Sequence, residues 1–269
     1  MRRTAVNTIY ELAKEDKDII LLIADVGAWL HRYFKRDYPN RFYNVGIAEA
    51  NTIGIASGLA LMNKKPFVYG ISVFLTSRCY DQIRVDICLH NANVKIIAVS
   101  CGTIYAPFGP THHSIEDIAI MRALPNMSIF SPCDKIQTKE IIKFMANNKG
   151  PMFIRIPHED NRLVFDENYK FKMGEIETIE DGDEDITIIS TGRIIHNVLE
   201  AEKKYLYPQL KCKIINVPTI KPLDKNNLLN AISNARKIIT VEDHNIIGGL
   251  GSLVGEILIE SDWRVNFKK

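Results

Sequence analysis

The sequence predicts an α/β protein of two domains, each built on a mostly parallel sheet flanked by helices. Three observations carry this. Short apolar, β-branched runs alternate with longer segments of helical spacing, the signature of successive βα units. The short runs are apolar at every position rather than every second one, so both faces of each strand are covered. The chain, at 269 residues, is also long for one small domain, and its rhythm breaks once.

Taken in order, the first helix spans 4–15 and the first strand is DIILLIAD (18–25). A helix over 48–62 precedes the strand PFVYG (66–70), and a helix over 76–91 precedes VKIIAVS (94–100). Helix 115–124, strand MSIF (127–130), helix 134–147 and strand MFIRI (152–156) complete the first domain, residues 1–157. Asp134 is placed to cap the last of these helices, with Gln137 three residues on in a capping-box arrangement. Residues 158–184 are charged and lack helical periodicity, so they read as a linker with one or two short strands. The second domain, 185–269, resumes with strand 185–190, helix 193–206, strand 212–217, a short helix near 224–234, strand 237–243 and a helix from about 251.

Composition narrows the function. Apolar residues make up 46% and charged residues 25%, ordinary for a soluble globular protein. Lys plus Arg (34) nearly balance Asp plus Glu (32), which gives no reason to expect nucleic acid or an anionic membrane as partner. No apolar run approaches the ~20 residues of a membrane span, and the N-terminus lacks a signal-peptide core. Cys79, Cys88, Cys101, Cys133 and Cys212 form neither CxxC pairs nor zinc spacings, so no metal site is expected and a reducing cytoplasm is.

Two segments stand out chemically. FYNVGIAEANTIGIASGLA (42–60) sets Glu49 near the start of a helix rich in Gly, Ala and Ser. A carboxylate there is explained by the helix dipole alone. Two glycines within a helix, each costing roughly 1 kcal/mol, call for close packing against another backbone and predict self-association. The loop SCGTIYAPFGPTHHS (100–114) is too rich in Gly, Pro and His to be a plain connector.

NVGIAE with its small-residue helix, FLTSRCYDQIR (74–84), GPTHHSIEDIAIMRALPNM (109–127), TIKPLD (219–224) and TVEDHNIIGGLGS (240–252) together resemble the transketolase family. They stand in the family's order over nearly the whole chain. The similarity is to the C-terminal half, a pyrimidine-binding plus C-terminal domain, as in enzymes split into two polypeptides. The resemblance implies a thiamine diphosphate- and Mg²⁺-dependent subunit that transfers a two-carbon ketol unit from a ketose to an aldose. It gives Glu49 a mechanism. The glutamate at this place hydrogen-bonds a ring nitrogen of the cofactor's aminopyrimidine and shares a proton with it, which a buried apolar setting favours.

Other roles follow from the same resemblance. Phe74 matches the aromatic that stacks on the pyrimidine, and Ile71 falls where many relatives carry a further aromatic. Asp25, ending the first strand, matches an acidic residue near the cofactor, and Arg78 is a candidate to hold the cofactor or an interface. His112 matches the histidine beside the reacting carbonyl of the donor. His113 stands where glutamine is common. Arg155, and less securely Arg3, match arginines that bind the substrate phosphate.

The sequence also departs from the pattern. Phe108 replaces an aspartate that accepts a hydrogen bond from a donor hydroxyl, and a ring cannot do so. A non-standard sugar is therefore expected. The GDG…NN pair that holds diphosphate and Mg²⁺ is absent; Asp181-Gly182-Asp183 lies in the linker. A diphosphate-binding partner subunit is implied, in a two-plus-two heterotetramer. The C-terminal domain looks shortened, with assembly as its expected role, although GGLGS (248–252) also suggests a phosphate loop. Two further readings stay open: the β subunit of a keto-acid dehydrogenase first component, and a non-catalytic assembly subunit.

Overall fold

The computed structural model describes residues 1–158, 160–206 and 208–269; the side chains of Asp183 and Glu184 are also outside the description. The described residues form two sheets, of seven and five strands, carried by two successive units of the chain. In the first, helix α1 (Arg2–Glu15) leads to β1 (Ile19–Ile23), a short α2 (Arg32–Asp37), β2 (Phe42–Asn44), α3 (Glu49–Leu61) and β3 (Lys65–Ile71). Next come α4 (Ser72–Thr76), α5 (Tyr80–Gln82), β4 (Lys95–Val99), α6 (Asp117–Arg122), β5 (Ser128–Phe130), α7 (Lys135–Asn147) and β6 (Met152–Ile156). The second unit of the chain runs through β7 (Glu177–Glu180), β8 (Asp183–Ser190), α8 (Ile195–Ala201), β9 (Cys212–Asn216), β10 (Thr219–Lys221), α9 (Lys225–Ala231), β11 (Lys237–Val241), α10 (Leu250–Glu260) and β12 (Asn266–Lys268), with β10 joining the first sheet.

The strand orders are β10-β5-β6-β4-β3-β1-β2 and β12-β11-β8-β9-β7. Among the described residues only β10 and β7 run antiparallel to their neighbours. β1, β4 and β6 are buried at every position, which is why their sequences show no alternation. One apolar core lies on each face of the larger sheet. The core containing Ile53, Val68 and Ile96 continues without a break into Ile189, Ile215, Val217 and Leu250 of the second unit. β10 crosses over and pairs with β5 in the first sheet. The two units therefore share both a sheet and a core.

Local signals explain the boundaries. Asp134 caps α7 by accepting the Gln137 N–H at 2.8 Å, and the Gln137 side chain accepts the Cys133 N–H at 2.9 Å. The expected helix 76–91 is different: α4 ends at Thr76, the chain restarts at Tyr80, and Ile83–Leu89 continues as a π-helix. Such widened turns occur beside functional sites. The short edge strands β2, β10 and β12 were not expected. Of the expected linker, residues 177–180 form β7 on the edge of the second sheet, β8 already begins at Asp183, and Glu159 lies outside the described residues. Among the described residues no helix is long and apolar enough to cross a membrane.

Candidate active site

The expected site residues gather where parallel strands of the first sheet end, the usual place for α/β sites. Asp25 follows β1, Glu49 follows β2, Ile71 ends β3, and loop 100–114 follows β4. Asp25 has a left-handed backbone, φ +56°. Its N–H donates to Asn44 Oδ1 (3.1 Å) and its carboxylate accepts from Asn44 Nδ2 (2.8 Å). The same Oδ1 accepts the Gly46 N–H at 3.1 Å. Asn44 thus staples the loop after β1 to the approach of Glu49, a role that the sequence pattern did not disclose.

Glu49 is the first residue of α3, and only 3% of its side chain is exposed. Its Oε2 accepts from Arg78 Nη1 at 2.9 Å. The same guanidinium lies over the Phe74 ring, 4.6 Å from its centre. Phe74 meets the His112 ring edge-on at 5.1 Å. Glu49, Arg78, Phe74 and His112 are therefore one contact chain drawn from three separate segments. Ile71, half-buried, precedes α4, the helix that carries Phe74.

The donor-side loop adds rings. His112 lies 5.0 Å from Phe108 and 6.1 Å from Tyr105. Tyr105 packs edge-on to Phe108 at 5.3 Å and lies 5.9 Å from His158. Phe108 is exposed, and His112 Nδ1 is 2.9 Å from the Thr111 hydroxyl. Beside it, His113 is half-buried, and its Nε2 meets no hydrogen-bond partner among the described residues. Tyr105 and His158 were missed in the sequence; the aromatic spacing 105, 108, 112 was the available signal for the first.

Two expected residues stand elsewhere. Arg155 is buried, donating from Nε to Asp117 Oδ2 (3.1 Å) and from Nη2 to the Asp243 carbonyl (3.0 Å). The sequence expectation of a phosphate ligand does not fit this placement: the guanidinium faces the junction between the two units. Arg3 borders a cavity of about 330 Å³ with Asn7, Lys135, Asp160 and Asn161; neither Glu49 nor His112 lines it. The GGLGS turn is also filled from within. Glu242 accepts the N–H groups of Leu250 (2.7 Å) and Gly251 (2.8 Å), so the start of α10 is already capped by a carboxylate.

The donor set fits the pyrimidine end of thiamine diphosphate. A buried carboxyl and an aromatic face stand side by side, bridged by one planar guanidinium. Among the described residues no His, Cys, Asp and Glu group could hold a metal ion.

The chain matches the transketolase pyrimidine-binding domain over residues 1–163 and the transketolase C-terminal domain over 174–268. It belongs to the transketolase family. It is 34% identical over 265 residues to an apulose-4-phosphate transketolase subunit of Actinobacillus succinogenes, covering 98% of this chain and 85% of that one. It is 33% identical over 262 residues to the 6-deoxy-6-sulfo-D-fructose transketolase subunit of a Clostridium species, covering 97% and 81%. A solved structure described as a split gene transketolase, inactive beta4 tetramer, superposes with a TM-score of 0.90 at 34% identity, over 99% of this chain and 87% of that one. This transketolase chain is thus the pyrimidine-binding and C-terminal half of a thiamine-dependent transferase.

Proposed function

We propose that this transketolase subunit works with a diphosphate-binding subunit that supplies the Mg²⁺ ligands, and transfers a two-carbon ketol unit from a non-standard, anionic ketose. The observation that carries this reading is the Glu49–Arg78–Phe74 contact, which sets a buried acid beside an aromatic face. When bound, thiamine diphosphate supplies a carbon nucleophile for the donor carbonyl. Glu49 would exchange a proton with the pyrimidine ring when the cofactor is bound, with Phe74 to pack on that ring and Asp25 and Ile71 to hold its surroundings. His112, on its loop after β4, faces the donor. Phe108 sets a ring on the donor side where a hydroxyl acceptor would otherwise stand, and Tyr105 packs beside it. The names of two relatives point to sugars ending in a phosphate or a sulfonate, which supports an anionic donor here.

Self-association belongs to the same reading. Gly54 and Gly58 on α3 have open space where a side chain would stand, and Ile47, Ile55 and Met62 beside them are exposed. The beta4 tetramer named for the similar solved structure supports self-association of this kind of subunit. A cytoplasmic location is supported by five free, buried cysteines.

The test is Glu49→Gln in the assembled complex. The substitution keeps shape and hydrogen bonding and removes the ionisable proton. Turnover should fall roughly 10²–10⁴-fold, the usual worth of acid–base assistance. Exchange of the thiazolium C–H with deuterium, followed by NMR, should slow alongside it, with cofactor affinity and assembly near normal. Unchanged exchange and turnover would reduce Glu49 to a helix-terminus charge.

A further inference from the structure

Loop 100–114 presents Tyr105, Phe108 and His112, and is held from two directions. Its base is closed by Gly102 and Ser114, whose N–H and C=O groups exchange two hydrogen bonds of 2.9 Å. The second hold comes from the other domain. Asp243, just past β11, accepts both the N–H and the hydroxyl of Thr103 on one oxygen, Oδ1, at 3.2 and 3.3 Å. Gly102 makes that approach possible. Its φ is +68°, and a Cβ there would stand 2.1 Å from the Asp243 carboxylate.

The contact is backed by a buried polar chain. Arg155 donates to the Asp243 carbonyl and to Asp117; Ser72 donates to Asp117 (3.1 Å), and Ser114 donates to Ser72 (2.9 Å). Arg155, Asp117, Ser72 and Ser114 are all buried. Ser72 opens α4, which carries Phe74, and Ser114 ends the loop that carries His112. Asn245 adds a dock, donating its N–H and its side-chain N–H to the Ile115 carbonyl at 2.9 Å each.

We propose that Asp243 is a positioning residue: the C-terminal domain sets the donor-side loop through the Asp243–Thr103 contact. The domain then has a part in substrate handling beyond assembly. The inference rests on reading this loop as the donor side of the site. Asp243 touches no reacting atom and acts through Thr103 on the loop bearing His112. Bonds in such a network reinforce one another, so loosening one end frees the loop.

The test begins with hydrogen exchange on the full chain. In Asp243→Ala, amides of 103–114 should exchange about tenfold faster, the opening expected from losing contacts of this strength, with β4, β6 and α7 unchanged. Asp243→Asn keeps an acceptor oxygen and should restore protection. In the reconstituted complex Asp243→Ala should lower donor kcat/KM about tenfold at unchanged thiamine diphosphate affinity, again rescued by Asn. Unchanged loop exchange, a rise spread equally over both domains, or an Asn variant as loose as Ala would overturn the proposal. Cofactor affinity falling in step with donor use would do the same. Should Asp243→Ala not fold, Thr103→Val removes the hydroxyl contact alone and should raise loop exchange about threefold; no rise would count against the proposal. A wild-type complex without ketol transfer would sink the transketolase reading, while the exchange result would still decide the positioning.

Discussion

His31 makes stability depend on pH in a way that can be worked out. The side chain is fully buried, its ring edge-on to Tyr69 at 4.6 Å and 6.3 Å from Phe42. Neither ring nitrogen meets a hydrogen-bond partner among the described residues. Burial pushes its pKa from 6.5 down to about 4. The folded protein therefore holds a neutral imidazole that the unfolded chain protonates below 6.5. Its contribution is fully present above that pH and is lost as pH falls toward 4, because the unfolded state binds the proton more tightly. At about 1.4 kcal/mol per pKa unit, the loss reaches about 2 kcal/mol by pH 5 and about 3 kcal/mol by pH 4. His31→Leu fills similar space without the titration. Urea unfolding of both proteins at pH 7.5 and pH 5.0 checks this. The stability difference should move by about 2 kcal/mol in favour of Leu at the lower pH. Contributions common to both chains, such as the Asp16 and Asp160 carboxylates held low by lysine or arginine partners, cancel in the comparison. Parallel pH dependence in the two proteins would refute the reasoning.

Three more predictions concern the site and the thiols. Phe108→Asp should raise kcat/KM of the reconstituted complex for ordinary ketose phosphates by about 10-fold or more, on the order of one restored polar contact; no gain on a donor panel would remove Phe108 as a specificity residue. The chain alone should show no tight, Mg²⁺-dependent thiamine diphosphate binding by calorimetry, and micromolar binding would contradict the two-subunit reading. Burial pushes the thiols of Cys79 and Cys101 up to about 12 and Cys88 up to about 11, and raises Cys133 as well. The native chain should therefore react slowly with thiol reagents at pH 8, and its five cysteines should react once urea unfolds it.

Much of this was legible in the chain. Strands buried on both faces announced themselves by unbroken apolar runs, and Asp134 with Gln137 marked the start of α7 as Glu49 marked the head of α3. What escaped was decided by tertiary contacts. Arg155 sits in a strand whose five residues are all buried, so periodicity could not say whether its guanidinium met a ligand or another domain. β10 is three residues long and gains its place by pairing across to β5, a long-range event without local signal. The break after α4 falls where Cys79 Sγ meets the Phe74 carbonyl at 3.3 Å, and no helix breaker marks it. His31 carries no mark in the sequence that sets it apart, yet it is wholly interior.

A cavity of about 520 Å³ lies between α10 and the residues after it, bordered by Leu258, Trp263 and Phe267, far in sequence from Glu49. The Glu49–Phe74–His112 cluster lines neither this cavity nor others of comparable size. It forms one wall. A buried carboxylate on such a wall needs a partner, since an unpaired buried charge is costly. Arg78, with about half its side chain exposed, provides it and covers Phe74 as well. One half-exposed residue thus satisfies both groups that the pyrimidine would engage. If the facing wall comes from the partner subunit proposed above, forming the pyrimidine slot and forming the assembly are one event, and turnover should track complex concentration rather than that of either subunit.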